Sequence, residues 1–535
     1  MGLAGLYTAS ALAVLFVATL LLCARQLPLV WAALIEWRTG WSRDAALRSV
    51  LGSVLVLCGL VLIVVTTMVT LAPALAFDVN ATHLPLVHHY ASQHALRTPS
   101  YLAYGFFPQS IEVLMTAGYI FGGDAAAQML PPVFFALALM TAYRIGRLCG
   151  FDRFASFTGV VFAAATPFLH WTGSVAKNDM ALAFFVLVAL LGYLRWRETQ
   201  DFRWVWAAAF FLAAAAGVKH IVVFAVPPLA LLFLHALVRQ RAPLRQAVVL
   251  IAVFLCFGLF WHARTWILTG NPIYPQTAAV AVQPVARYQG SVWSNLILPY
   301  LRFPRRVFFE GQRYFESPLN QPLGIMLALF APFWFIIRRI TAAEAACLLF
   351  CGLYLAYWFF AIEMVRYAIA PILILSVLTA GRLIGFWRQA SKPIQFLVVM
   401  ASSYVLLFGL LGIAIVEVNA PQLRLFAFRI DRTGYLREAL IPYRSLEFVR
   451  RTSHPGDCVY AIEACSVVYA PDPSTFDCAM TLKVPAQQIL GLIDKKNYRF
   501  LVVTTGHPEV VPSGWERAYR DESYEVYTRV PATSP

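Results

Sequence analysis

The stretch from Ala76 to His94, AFDVNATHLPLVHHYASQH, gathers one carboxylate, Asp78, and four of the chain's ten histidines directly after a long apolar run. A carboxyl at a lipid–water boundary is partly desolvated, which raises its pKa and suits it to act as a general base. The plainer reading is that Asp78 only caps a short helix starting near Thr82. His83, His88, His89 and His94 contain no HxxxH or HExxH spacing, so a zinc site is disfavoured and the four read as polar residues of a surface helix. Among them His83 is placed to touch a phosphate or pass a proton.

A second acid, Asp179, follows Lys177 and Asn178 in HWTGSVAKNDMALAFF, where an apolar run begins. It too could serve only as a helix cap. Lys219-His220 and Arg366-Tyr367 stand at the starts of other apolar runs. Charges of both signs at the mouths of membrane helices are costly and tend to mark substrate paths. Arg287, Arg302, Arg305, Arg306 and Arg313 share one long loop with Tyr274, Tyr288, Tyr300 and Tyr314. Guanidinium groups beside phenols suit a phosphate bound next to a sugar, and equally a loop resting on anionic lipid. Arg366 either pairs with nearby Glu363 or points between helices.

These residues must be held by apolar elements. The 535-residue chain is 60% hydrophobic and 13% charged, with a mean hydropathy of +0.68. Soluble chains carry about 25% charge, so the composition is that of a membrane protein. Apolar runs predict twelve spans, near 5–24, 49–71, 126–148, 155–170, 180–196, 204–218, 221–238, 246–268, 321–337, 342–361, 367–385 and 395–417. The first lacks a basic leader and is read as retained. Alternate loops hold eighteen basic residues against nine, which places the richer set in the cytoplasm and both termini outside. That parity makes Phe107–Gly123 a helix lying on the outer surface rather than a span.

The organisation that follows is an extra span and basic linker over 1–48 and an all-α polytopic membrane bundle over 49–417. The bundle has outer loops at 72–125, 171–179 and 269–320. A small extracytoplasmic α/β domain over 418–535 completes the chain. In the last, DCVYAIEA, RFLVVTTG and YEVYTRV alternate like strands, while LREALIPYRSLEFVRRT and PAQQILGLIDKKN are helical in pattern. Cys458, Cys465 and Cys478 permit one disulfide and one thiol there, with the pairing open. The net charge of +15 is dispersed in short loops with no basic helix, which argues against nucleic acid and for membrane lipid or a phosphate-bearing substrate.

FDVNATHLPLVHHY, FPQSIEVLMTAGYIFGGDAAAQ, HWTGSVAKNDMALAFF, AAGVKHIVVFAVPPLALL, TGNPIYP and RYAIAPILIL, in that order, resemble the C-fold (GT-C) membrane glycosyltransferases. The resemblance covers about residues 49–385. It lies toward bacterial lipopolysaccharide-core galacturonosyltransferases, protein O-mannosyltransferases and lipid A aminoarabinose transferases. It implies a polyprenyl-phosphate sugar donor, a lipid, glycan or protein acceptor, and transfer on the outer face of the inner membrane. It also implies that Asp78 matches the first-loop catalytic aspartate, Asp179 the second-loop acid, Lys219 the basic residue after the sixth span, and Arg366-Tyr367 an arginine-tyrosine pair. Many relatives carry an acid pair in the first loop, whereas here Val79 and Asn80 follow Asp78. No cofactor is required on this reading, and a divalent ion on Asp78 and Asp179 is optional.

The expected reaction is a single inverting displacement with Asp78 as general base and Asp179 orienting it or holding the optional ion. Lys177, Lys219, His220, Arg366 with Tyr367, and Arg305 or Arg306 would bind and stabilise the departing phosphate, with His83 beside them. Two rivals stand against it. A flippase for lipid-linked sugars calls for midplane charges and an inverted repeat, neither of which is visible in the sequence. A non-catalytic scaffold would present the tail domain to partners.

Overall fold

The computed structural model describes residues 5–26, 45–99, 102–240, 244–275, 324–335, 340–361, 364–479 and 497–529, with single positions at 28, 31, 32, 35, 39, 298, 302, 490, 491 and 493. Arg287, Arg305, Arg306, Arg313, Tyr288, Tyr300, Tyr314, Glu363 and most of the helix expected over 485–497 lie outside the described residues.

Several helices begin where short polar side chains satisfy free N–H groups. Thr8 accepts from Ala11 N at the head of α1 (Ala9–Cys23), and Ser49 accepts from Gly52 N at the head of α2 (Val50–Leu71). After α2 come α3 (Leu84–Gln93), α4 (Ser110–Gln128) and α5 (Leu130–Leu148). They are followed by α6 (Arg153–Ala164), α7 (Pro167–Ser174), α8 (Asp179–Thr199) and α9 (Arg203–Ala216). The bundle is completed by α10 (Val226–Gln240), α11 (Leu244–Gly258), α12 (Phe260–Thr269), α13 (Gly324–Phe330), α14 (Ala342–Ala361), α15 (Ile369–Gln389) and α16 (Lys392–Glu417).

The centre of the bundle is formed by α8 and α15, the most enclosed of the long apolar helices. α5 and α9 pack on α8, and α6 packs on α15. That last contact is close enough that a Cβ on Gly159 would meet Val377 Cα at 2.5 Å, so only glycine lets the two backbones approach. The outer helices instead expose their apolar faces. On α2, Leu57, Leu60, Ile63 and Val64 are exposed, and on α16 Phe396, Leu397, Met400, Leu407, Leu411 and Ile415. Apolar surface running the length of 22- and 26-residue helices faces hydrocarbon rather than water. The chain is an integral membrane protein.

Among the described residues seven helices are long and apolar enough to cross a membrane, or ten if each of three bent pairs counts as one. The expected count of twelve is not confirmed. The expected span 155–170 is broken: α6 and α7 meet at 76°, because Thr166 is extended and Pro167, with no N–H to donate, starts a new helix. α11 and α12 are bent by 46° within the expected span 246–268. α9, at 14 residues, is only ~21 Å long at 1.5 Å per residue. α4 departs from helical geometry at Gly122 and Gly123, the latter at φ +64°, and meets α5 at 65°. The residues read as a surface helix are therefore set off from the span that follows.

Beyond α16, an Asn419–Gln422 capping box opens α17 (Ala420–Phe426). α18 (Arg432–Ala439) and α19 (Tyr443–Thr452) follow, separated at Pro442. The strands β1 (Cys458–Ile462), β2 (Phe476–Ala479), β3 (Tyr498–Thr504), β4 (Trp515–Arg520) and β5 (Tyr524–Arg529) form one sheet ordered β2-β1-β3-β5-β4. β1 runs parallel to both neighbours, and β5 antiparallel to both of its own. Alternation sends Val459, Ala461, Phe500, Val502 and Val526 toward Leu446 and Val449 of α19. A disulfide joins Cys465 to Cys478, and Cys458 keeps a free thiol. Ala72 and Leu75 of the first loop pack into this same core, tying the small domain to the loop that carries Asp78.

Candidate active site

Asp78 precedes a π-helical turn, Val79–His83, that runs directly into α3. Its side chain makes no cap hydrogen bond, so the capping role is not what the fold uses. Its Oδ2 takes the Lys177 ammonium at 2.9 Å and the Arg366 guanidinium at 2.7 Å. Both cations grip that one oxygen, and Oδ1 carries no contact among the described residues. Burial works against ionisation of this carboxyl, yet Lys177 and Arg366 outweigh it and hold its pKa well below the usual carboxylate range.

The bend at Pro167 aims α7 and the short loop after it into the same place. Three consecutive side chains then leave for three partners. Lys177 reaches Asp78 and lies 4.5 Å from the centre of the Trp171 ring. Asn178, the residue before α8, does not cap it with its side chain. It donates instead to Glu112 Oε1 at 3.2 Å, the Tyr104 hydroxyl at 3.2 Å and Val218 O at 3.4 Å. Asp179, in the first turn of α8, accepts from Lys219 Nζ at 2.7 Å and is likewise no cap. Asp179 makes no hydrogen bond to Asp78 among the described residues and instead holds Lys219. Burial alone would lower the Lys219 pKa, but Asp179 raises it, so the ammonium is secure.

Arg366 and Tyr367 sit on the tight turn Val365–Ala368 before α15. α14 fixes that turn by two bonds: Trp358 Nε1 donates to Met364 O and the Tyr354 hydroxyl to Tyr367 O, each at 2.7 Å. The Tyr367 ring then lies beneath two cations, Lys219 Nζ at 4.9 Å and the Arg366 guanidinium at 5.3 Å. Asp179 is within electrostatic reach of Lys219, Arg366 and Lys177 together. The two acids, more than a hundred residues apart, thus share one cluster of three cations.

Other expected residues fall elsewhere. His83 is buried and bonds Glu112 Oε1 through Nδ1 at 2.7 Å, one step from the cluster through Asn178. His220 turns to His262 at 3.0 Å and to the edge of Phe107, not toward either acid. The reason is local: Lys219 is extended and His220 opens a tight turn, so adjacent side chains diverge. His88 bonds Asp124 at 2.6 Å.

Three groups went unforeseen. Glu112 is fully buried, and an acid in the first turn of an otherwise apolar stretch was the available signal. Its Oε2, with Asn178 Oδ1 and Asp179 Oδ2, is buried with no hydrogen-bond partner among the described residues. Tyr104 touches Asn178, and burial followed by the charges of Glu112 and Asp179 pushes its phenol well up. Finally, Glu417 at the end of α16 bonds His170 Nδ1 at 2.7 Å and the Ser174 hydroxyl at 2.6 Å. It clamps α7, and with it Trp171 beneath Lys177.

The broken-helix bundle, with acids and cations gathered at loop mouths and a small domain packed on the first loop, is a GT-C-like fold. Residues 118–283, which hold Lys177, Asp179 and Lys219, match the family described as dolichyl-phosphate-mannose-protein mannosyltransferase. The chain is similar in structure to ArnT from Cupriavidus metallidurans bound to undecaprenyl phosphate, with a TM-score of 0.58 and 14% identity over 90% of this chain and 99% of that one. It is also similar to the archaeal oligosaccharyltransferase AglB from Archaeoglobus fulgidus in complex with an inhibitory peptide and a dolichol-phosphate. There the TM-score is 0.51 and the identity 12%, over 87% of this chain and 70% of that one. At such identities the likeness is one of fold. No curated protein matches the chain by sequence.

Proposed function

We propose that the protein is a glycosyltransferase that moves a sugar from a polyprenyl-phosphate donor to an acceptor hydroxyl on the outer face of the inner membrane, with inversion and with Asp78 as general base. The observation that carries this reading is the cluster of Lys177, Lys219 and Arg366 around two carboxylates. Among the described residues three cations are bonded to these two carboxylates, an arrangement able to receive an anion such as phosphate. The cluster is a poor seat for a divalent ion, since each acid is already bonded to a cation.

In the proposed reaction the acceptor oxygen attacks the anomeric carbon while its proton passes to Asp78. The bond to phosphate breaks on the opposite side and the polyprenyl phosphate leaves with the electron pair. Its added negative charge is met by Lys177, Lys219 and Arg366, preorganised by Asp78, Asp179 and Tyr367. Asp78 is a weak base while both cations hold it. A donor phosphate competes for those cations, so binding the donor releases the base, through the uncontacted Oδ1. The unsatisfied acceptors on Glu112, Asn178 and Asp179 suit a ligand rich in hydroxyl donors. The extracytoplasmic side is supported by the arginine-poor loops that carry the cluster and by the disulfide in the packed domain.

The test is consumption of a panel of polyprenyl-phosphate sugars by the purified protein in detergent. Asp78→Asn should lower the rate ~10²–10⁴-fold, the usual worth of a general base. A variant that transfers at the native rate removes Asp78 from the mechanism. Uptake into sealed vesicles with no product would replace the transferase by a flippase.

A further inference from the structure

A polar cavity of about 350 Å³ lies between α3–α4 and the small domain. Its walls include His88 and Asp124 from the membrane part and Arg432, Tyr443, Arg450 and Tyr469 from the domain. The expected site contained none of these. Asp124 is already neutralised: Arg432 bonds one of its oxygens and His88 the other. Arg450 differs. It touches the Tyr443 hydroxyl at 3.2 Å and lies over that ring, but has no carboxylate partner among the described residues. The nearest acid on its own helix, Glu447, is taken by Arg437 and Arg451. Tyr443 and Tyr469 meet edge to face at 5.3 Å and form an aromatic wall. A cavity this size fits a small polar ligand. An aromatic wall accepts the C–H face of a sugar ring, and a guanidinium with no carboxylate bonded to it among the described residues, Glu447 being only within electrostatic reach, accepts an anion, ideally phosphate or carboxylate.

We infer that this cavity holds an anionic sugar unit of the acceptor, resting on the transferase reading above. The placement supports it. The turn Val467–Tyr469 packs on both the π-helical turn Val79–His83 and α3. From Asp78 to His88 the chain is continuously helical, so the cavity lies ~15 Å along the axis from the base at 1.5 Å per residue. An acceptor anchored by a charged sugar here would present a hydroxyl of a neighbouring unit at Asp78.

The test measures binding first, then turnover. Glucose 6-phosphate is titrated into the full-length protein in detergent, with glucose and inorganic phosphate as separate titrants. The native protein should bind the sugar phosphate at least tenfold tighter than either. Arg450→Gln, a substitution at an exposed position, should lose that preference, and Arg450→Lys should restore part of it. Saturating undecaprenyl phosphate should leave the binding unchanged. In turnover Arg450→Gln should raise the acceptor KM and leave the donor KM alone. Equal binding by native and Arg450→Gln proteins, inorganic phosphate binding as tightly as the sugar phosphate, or displacement by undecaprenyl phosphate would each overturn the inference while leaving the Asp78 test intact. Displacement by a micellar lipid bearing a phosphorylated sugar would assign a lipid-borne acceptor, and retention a soluble one.

Discussion

Saturating the protein with donor is expected to move the acid limb of its rate profile to higher pH, because Lys177 and Arg366 serve both Asp78 and the incoming phosphate. In the donor-free state these cations, at 2.9 and 2.7 Å, hold the Asp78 carboxyl below the ordinary value of about 3.9 against the opposing pull of burial. A contacting cation lowers a carboxyl by roughly 1–3 pH units. When phosphate claims both, that pull is lost, burial remains, and a new anion stands nearby; all three changes raise the Asp78 pKa. A rise of about two pH units corresponds to ~2.7 kcal/mol. The acid limb of kcat/KM reports the free enzyme and that of kcat the loaded one. Rates measured at many pH values should therefore place the kcat limb about two pH units above the kcat/KM limb. Stability of the donor-free protein follows the same sign. A depressed carboxyl contributes fully above its unfolded pKa of about 3.9 and loses the contribution as pH falls through the folded value. Coincident limbs, or a kcat limb on the acid side, would refute the competition between Asp78 and phosphate.

Arg366→Lys keeps the charge but loses the planar guanidinium over Tyr367 and its contact to the Tyr367 hydroxyl. A donor KM raised about tenfold, ~1.4 kcal/mol, with a folded protein by thermal shift, is the expected outcome. Asp179→Asn removes the partner of Lys219 from a buried pair and should cost ~3 kcal/mol of stability, read as a lower Tm in detergent and a weaker donor KM together. Glu417→Gln should loosen α7 and lower kcat without changing acceptor KM, since Glu417 touches His170 and Ser174 rather than the cation cluster. Cys465→Ser opens the disulfide, with a sequence separation of 13. It should destabilise the small domain by ~3 kcal/mol, seen as faster proteolysis of the region after Glu417.

Much of the bundle was legible because apolar runs and loop charge are read by the membrane itself. The breaks were not. Pro167 sits inside a run that still scores as apolar, and only the packed structure shows that Thr166 turns extended and α7 veers by 76° toward Asp78. In the small domain, β1, β3 and β5 alternate and were readable. β2 has four residues, and the edge strand β4, WERAYR, is mostly exposed and carries no apolar rhythm. At the site, residue type pointed to both acids, but type alone could not separate a cap from an ion pair. Side-chain geometry decides it: neither acid makes a cap hydrogen bond, and each is bonded instead to cations arriving from other elements.

The pairing pattern also explains why three consecutive polar residues sit where a helix enters the apolar core. Lys177, Asn178 and Asp179 are each almost fully buried, and an isolated charge there would be costly. The cost falls only because Asp78, Glu112 and Lys219 arrive from three other elements to meet them. Each partner is therefore a joint between elements as well as a chemical group. That is why the cations are free to change partners without collapse: when phosphate displaces the Asp78 carboxylate, Lys177 and Arg366 exchange one anion for another and the buried charge stays compensated. A neutral ligand could not make that exchange, and it should bind this cluster poorly whatever its shape.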